Sequence, residues 1–290
     1  MNYKVLITSI LFLFFYMEIA QAKGDAVENP TSDWFSNYVN VVSSHNSRFG
    51  PVKARDIFLE YEFDGRQKMF DFWGDVDIPK FFGTASDGKK GIWDAHGVPL
   101  YLDLQARMSI NSLFGLGENK NLFKEYFIST NYIGNFGKKS DKSASHVLWL
   151  GLGASINTHS KLSLNINGYF RKNFSDYGSL QENNWKGYRL KMKWAYPITS
   201  LFGNNGGLTY SGHGDYDFGT GKEPKVKPSN NTGSNDALEI TNTLDLSYKR
   251  IHFATIARYW YHGGGNKNNG GTLHVHASGW GCYFVLGYKL

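Results

Sequence analysis

Residues 188–194 read Tyr-Arg-Leu-Lys-Met-Lys-Trp, and residues 100–109 read Leu-Tyr-Leu-Asp-Leu-Gln-Ala-Arg-Met-Ser. In both stretches an apolar or aromatic residue occupies every second position. This period of two is that of a β-strand with two different faces. The intervening residues include Arg, Lys and Asp, so the opposite face carries charge. This pattern fits a strand between lipid and a polar interior, because a soluble carrier with an apolar cavity would place its polar face outside.

The same alternation recurs along the whole chain. An even number of such strands is typical of bacterial single-chain outer-membrane barrels. We therefore predict an all-β fold, a 12-stranded antiparallel transmembrane β-barrel. The predicted strands are residues 36–46, 54–64, 67–78, 98–110, 121–135, 145–157, 160–174, 185–197, 206–218, 235–248, 251–262 and 276–290.

The connections between these strands are predicted to alternate between short turns and long polar loops, as in outer-membrane barrels. Asp64-Gly65 is a two-residue hairpin signal. Further turns are expected near 111–121, 157–160, 198–206 and 249–250. The long loops, predicted to be external, are residues 79–97, 136–145, 175–184, 219–235 and 263–275.

The N-terminus predicts export. A short apolar run from Val5 to Tyr16 precedes the tripeptide Ala20-Gln21-Ala22, a pattern typical of a signal peptide cleaved after Ala22. We expect residues 1–22 to be the signal peptide and residues 23–290 to form the barrel. Aromatic residues make up 16% of the chain and 33 glycines stand against 7 prolines, which favours many short strands joined by turns.

The single cysteine argues against a disulfide-stabilised secreted domain, and the charge distribution argues against a nucleic-acid-binding protein. Cys282 alone cannot form an internal disulfide. The net charge of +6 is spread through the chain, which argues against nucleic-acid binding. Cys282 begins an alternating apolar face that runs to Leu290, so we expect the last strand to face lipid and to be recognised by barrel-assembly machinery.

Barrel width predicts a narrow lumen. About eight strands are filled by side chains, and about sixteen leave an open channel, so twelve should leave a slot in which a solute touches the wall. The inward positions mix both signs of charge with aromatic rings, which suits a neutral, planar, hydroxyl-bearing solute. The candidate binding residues are Phe49, Glu60, Asp71, Tyr101, Asp103, Arg107, Tyr169, Arg171, Arg189, Lys191, Arg258 and Trp260.

Short motifs add a family resemblance from Asp33 to the C-terminus. They are Asn40-Val41-Val42, Arg48-Phe49-Gly50-Pro51, Leu59-Glu60-Tyr61-Glu62, Phe70-Asp71-Phe72, Lys90-Gly91-Ile92-Trp93, Arg107-Met108-Ser109-Ile110, Lys124-Glu125, Gly187-Tyr188-Arg189, Ala257-Arg258-Tyr259-Trp260 and Ser278-Gly279-Trp280-Gly281. In these motifs the chain resembles the Tsx-type nucleoside-specific channel family of bacterial outer membranes, which includes phage-receptor relatives.

The resemblance implies a monomeric outer-membrane barrel whose lumen binds nucleosides and deoxynucleosides between aromatic rings flanked by ionisable groups. Phe49 and Trp260 are the aromatic residues that it points to, and Arg189 and Arg258 are the charges. Phage or toxin binding at the external loops would follow from the same resemblance. The chain departs from the family at Tyr261-His262-Gly263-Gly264, where the family often has a His-Asp pair.

Four alternatives remain open. The inward charges can simply pair with one another, and a nonspecific small-solute pore would share every barrel feature. An outer-membrane hydrolase is disfavoured because no G-x-S-x-G motif is present among the residues. His274 and His276 have a spacing suited to a metal but no third ligand is evident. We therefore expect no enzymatic activity, no cofactor and no resident metal.

Overall fold

The computed structural model describes residues 33–48, 53–79, 81–82, 100–137, 144–176, 182–202, 205–220, 233–268 and 276–290. Twelve strands run through these residues: β1 (Trp34–Ser47), β2 (Ala54–Gln67), β3 (Phe70–Ile78), β4 (Tyr101–Ser109), β5 (Phe123–Phe136), β6 (Ala144–Ile156), β7 (Ser163–Asp176), β8 (Trp185–Leu201), β9 (Gly206–Phe218), β10 (Ala237–Tyr248), β11 (Ile251–Tyr261) and β12 (Gly279–Lys289). A short helix, α1 (Ile110–Leu113), follows β4. Over these ranges, no helix has the length and apolar character needed to cross a membrane.

Each strand pairs antiparallel with its neighbours in sequence, and β1 pairs with β12 to close the barrel. At the closure Val41 lies opposite Leu286. A closed sheet leaves no unpaired edge, which is the condition for strands to lie in lipid. The predicted fold is therefore confirmed, and the strands begin and end within a few residues of the predicted bounds.

The predicted hairpin at Asp64-Gly65 is wrong. Strand β2 continues through both residues to Gln67, and the chain turns at Lys68 and Met69, with Lys68 in the left-handed region at φ 52°. Gly65 instead meets the ring of Phe72, to which an added Cβ would lie 2.7 Å away. The glycine serves close packing between β2 and β3, which the local turn signal could not reveal.

The other short connections agree better with the sequence. The turn at Lys249-Arg250 is confirmed, and the β6–β7 connection falls at 157–162. Strand β8 is longer than predicted and ends at Leu201, so its turn begins only at Phe202. The predicted turn near 111–121 contains α1, whose first turn is capped by the Ser109 side chain.

The two faces of the strands separate as the alternation predicted. Leu190 and Met192 are exposed on the outside of the barrel, while Lys191 between them is 2% exposed. The last strand follows the same rule, because every second residue from Phe284 to Leu290 is exposed. Cys282 lies half-buried on this face as a free thiol. The outer wall is apolar, and the polar residues fill the interior.

Candidate functional site

Two aromatic clusters lie on opposite walls of the barrel interior. The Trp260 cluster, on β11, β12, β1 and β2, consists of Val42, Phe58, Ala254, Trp260, Tyr283 and Val285, with Tyr101 packed against it. The Trp149 cluster, on β6 and β7, consists of Val147, Trp149 and Tyr169, with Ile133 of β5 packed against it. The first is centred six strands away from the second around the sheet, so the clusters face each other across the lumen.

An arginine stacks on the indole ring of Trp149. The guanidinium carbon of Arg189 lies 4.3 Å from the centre of the Trp149 ring, and that of Arg171 lies 5.5 Å away. Two hydrogen bonds of 2.6 and 2.9 Å join Arg189 to Asp217 on the neighbouring strand. This fork holds the guanidinium plane in one orientation beside the indole.

The Trp260 cluster repeats this composition. The guanidinium carbon of Arg258 lies 4.9 Å from the Tyr283 ring centre and 5.9 Å from that of Trp260. Glu239 accepts a 3.1 Å hydrogen bond from the indole nitrogen of Trp260 and lies 3.4 Å from Arg258. Each wall of the lumen therefore carries aromatic rings, an arginine and a carboxylate fixed next to one another.

Further charge pairs lie between and below the clusters. Lys191 lies 3.6 Å from Asp215. Toward the end of the barrel with short turns, Arg107 pairs with Asp71 and covers the Phe127 ring at 4.1 Å. The interior thus contains paired charges in contact with aromatic faces along much of its length.

Eleven of the twelve sequence-predicted site residues are described, and all face the interior; Phe49 lies outside the described residues. The ionisable members each contact an opposite charge or an amide. The contacts are Glu60 with Asn40, Asp71 with Arg107, Asp103 with Asn131, Arg171 with Asp176, Arg189 with Asp217, Lys191 with Asp215 and Arg258 with Glu239. Mutual pairing of the inward charges, one of the open alternatives, is therefore present together with aromatic contact.

Sequence reasoning missed several interior residues that complete these arrangements. Trp149 is the indole on which Arg189 stacks, and Asp217 and Glu239 are the carboxylates that hold the two arginines. Trp149 lies between Leu148 and the exposed Leu150, so the alternation alone placed it inside. The alternation likewise places Asp217 inside, between the exposed Tyr216 and Phe218, but it cannot show which arginine the carboxylate meets, because that partner comes from another strand.

One group of carboxylates could hold a cation. Oxygen atoms of Glu60, Asp75 and Asp77 lie within 4.8 Å of one another on β2 and β3, and oxygen ligands are those that Ca²⁺ and Mg²⁺ prefer. Like-charged carboxyl groups at this distance are also satisfied by shared protons. The amide nitrogen of Asn40 already donates a 2.8 Å hydrogen bond to Glu60. His274 lies outside the described residues, so the predicted histidine pair stays untested.

A serine, a histidine and an aspartate meet at the loop end of the barrel. Ser234 Oγ lies 2.8 Å and Asp236 Oδ1 3.1 Å from the same nitrogen, Nδ1, of His262. A hydrolytic triad needs the serine and the acid on opposite ring nitrogens, so this arrangement cannot work as one. Burial raises the pKa of Asp236, but hydrogen bonds from Ser234 and His262 outweigh it and leave that pKa lowered. The trio ties together the connections that follow β9 and β11.

Known proteins resemble this chain over most of its length. A family model described as nucleoside-specific channel-forming protein, Tsx, matches residues 31–290. The nucleoside-specific channel-forming protein Tsx of Shigella flexneri is 39% identical over 268 residues, which cover 89% of each chain. The outer membrane protein OmpK of Vibrio parahaemolyticus is 27% identical over 253 residues, covering 86% of this chain and 85% of OmpK.

Among solved structures, the NanC porin resembles the barrel with a TM-score of 0.51 and 12% sequence identity. The match covers 88% of this chain and all of the porin chain. At that identity the likeness concerns the fold alone. The barrel architecture is thus shared with a porin of different sequence.

Proposed function

Because the chain belongs to the Tsx family of nucleoside-specific channel-forming proteins of the outer membrane, we propose that it lets nucleosides and deoxynucleosides diffuse selectively into the periplasm. The family is one of channels and not of enzymes. The observation that carries the proposal is the pair of facing stations, the Trp149 cluster with Arg189 and the Trp260 cluster with Arg258.

The stations suit a nucleoside because they combine two kinds of contact. Stacking of a nucleobase on an aromatic side chain contributes about 1–3 kcal/mol, whichever base it is. The carboxylates of Asp217 and Glu239 and the guanidinium groups that they hold can hydrogen-bond ribose hydroxyls. These polar groups are already paired, so a solute exchanges one set of hydrogen bonds for another and gains little net affinity.

Weak sites in series are what a selective channel requires, since a tight site would trap the solute. The mixed charge of the lumen also argues against an ion filter, which would carry one sign. The candidate residues from Glu60 to Trp260, together with Phe49, are proposed to line this path. Asp215, Asp217, Glu239, Trp149 and Tyr283 join them on the geometry described above.

A liposome uptake experiment tests the proposal. Liposomes that contain refolded protein lacking residues 1–22 are used to measure the uptake rates of a purine nucleoside, a pyrimidine nucleoside, ribose and a disaccharide. We expect nucleosides to enter faster than the smaller ribose, with rates that saturate. Uptake ordered by solute size alone would make the protein a general pore, the runner-up function.

Further partners are proposed on the sequence and the family. The exported chain is proposed to be a monomer that barrel-assembly machinery inserts into outer-membrane lipid through the apolar face of β12. The external loops are proposed as contact sites for phage or toxins, as the family resemblance implies. Binding of labelled phage to cells with and without the protein would test the last point.

A further inference from the structure

One transverse row of the inner wall carries two amides between two indoles. Trp73 on β3 pairs in register with Gln105 on β4, Gln105 with Asn131 on β5, and Asn131 with Trp149 on β6. Neighbouring strands lie about 4.8 Å apart, so the row spans roughly 14 Å. None of the four residues was among the candidates that the sequence suggested.

The orientation of the Asn131 amide follows from its partner. Its nitrogen donates hydrogen bonds to Asp103 Oδ1 at 2.5 Å and to the Leu104 carbonyl oxygen at 3.2 Å. Both partners only accept, so the nitrogen must face them and the amide oxygen must point elsewhere. That oxygen has no hydrogen-bond partner among the described residues.

Gln105 adds a second acceptor of the same kind. Its side-chain oxygen, within the described part of the barrel, is also buried without a hydrogen-bond partner, and the residue is 6% exposed. A buried acceptor without a donor costs free energy that a ligand N–H would recover. Two such acceptors on adjacent strands therefore point to a ligand with N–H donors.

The indoles indicate the shape of that ligand. Arg189 covers Trp149 and is held there by Asp217, whereas Lys193, whose nitrogen lies 4.5 Å from the Trp73 ring centre, has a flexible chain. A planar ring can replace Lys193 on Trp73, which is only half-buried. A ring stacked there would turn its edge toward Gln105 and Asn131.

We propose that this row, Trp73–Gln105–Asn131–Trp149, reads the edge of the nucleobase and favours bases that carry an exocyclic amino group. The inference rests on the proposed nucleoside channel and assigns a base preference to it. The amino group of adenine or cytosine offers two N–H donors, one for each amide oxygen, while uracil and thymine offer a single ring N–H and leave one acceptor unmatched.

Adenosine and purine riboside test this preference, because they differ only in the amino group. The half-saturating concentration of each is measured from its reduction of ion current through the channel in planar bilayers. We expect adenosine to bind about fivefold more tightly, the worth of one hydrogen bond. Gln105→Met removes one of the two acceptors at nearly constant volume and should reduce the difference while purine riboside binding is retained.

Two further variants sharpen the result. Gln105→Glu keeps an acceptor in place and should preserve the preference for adenosine. Gln67→Met makes the same change at the end of β2, outside the row, and should behave as the native chain. A heat-dependent gel shift confirms that each barrel is folded.

The outcomes separate the two proposals. No effect of either nucleoside on the native channel would overturn the nucleoside function itself. Equal affinities in the native channel, an unchanged ratio in Gln105→Met, or an equal loss of both affinities would overturn the base-reading row and leave the channel function standing.

Discussion

The guanidinium group of Arg189 on β8 lies over the indole of Trp149 on β6, with 4.3 Å between the guanidinium carbon and the ring centre. The strand between them contributes Arg171, whose guanidinium carbon lies 5.5 Å from the same ring centre. One tryptophan thus gathers two arginines from two strands, and Asp217 fixes the nearer one. Loss of the indole should therefore leave both arginines without the ring that positions them in the lumen wall.

Trp149→Leu is expected to raise the half-saturating nucleoside concentration by about fivefold, since Arg189 loses the ring that positions it and one hydrogen bond to the solute is worth about 1 kcal/mol. The reduction of ion current by added nucleoside measures it. Trp149→Phe keeps a ring and should give a smaller change. A leucine variant with native affinity would contradict stacking at this wall.

Trp260→Ala is expected to lower nucleoside flux more than disaccharide flux in liposomes. Trp260 is 1% exposed in the interior, whereas Trp280 is 59% exposed on the outer face beside Tyr259. Trp280→Ala is the matched control and should leave the flux ratio unchanged. By the family resemblance, Phe49→Ala should act like Trp260→Ala. Equal losses for both solutes would argue for a general pore.

Removal of one partner of the Arg66–Glu125 pair should destabilise the barrel. The two side chains, each 9% exposed, share hydrogen bonds of 2.9 and 2.6 Å. Glu125→Met leaves a buried guanidinium with one carboxylate fewer and is expected to cost about 3–5 kcal/mol of unfolding free energy. Urea unfolding in detergent micelles measures the cost. The double variant Arg66→Met/Glu125→Met should recover much of it, and a double variant no more stable than the single would refute this account.

Gly65→Ala should lower the unfolding free energy by about 1–3 kcal/mol, because the added methyl would overlap the Phe72 ring. Gly117 offers a control, since an added Cβ there meets no atom within 4 Å among the described residues. Gly117→Ala should change stability by no more than about 0.5 kcal/mol. Similar effects of the two substitutions would show that contact with Phe72 is not the cause.

Mass spectrometry of the protein extracted from membranes should find Lys23 as the first residue. The apolar run that ends at Tyr16 and the Ala20-Gln21-Ala22 tripeptide predict cleavage after Ala22. Ala22→Arg puts a large charged side chain before the cleaved bond and should leave the precursor uncut. An intact N-terminus in the native protein would show that the segment is not a signal peptide.

The sequence by itself determined the number of strands, their approximate limits and the face on which each side chain lies. These properties are local, because successive side chains of a strand point to opposite sides and lipid admits only the apolar set. Leu190, Lys191 and Met192 show the rule within three residues. Asp64-Gly65 shows its limit, since the same glycine can serve a turn or a close contact with Phe72.

Only the tertiary structure decided which inward side chains meet. Arg189 could stack on any interior ring until the register of β6, β7 and β8 placed it over Trp149. The same holds for Glu239 beside Trp260 and for the row from Trp73 to Trp149. Register and barrel closure are set by hydrogen bonds between distant strands, so the contacts inside the lumen follow from pairings that no single stretch of sequence contains.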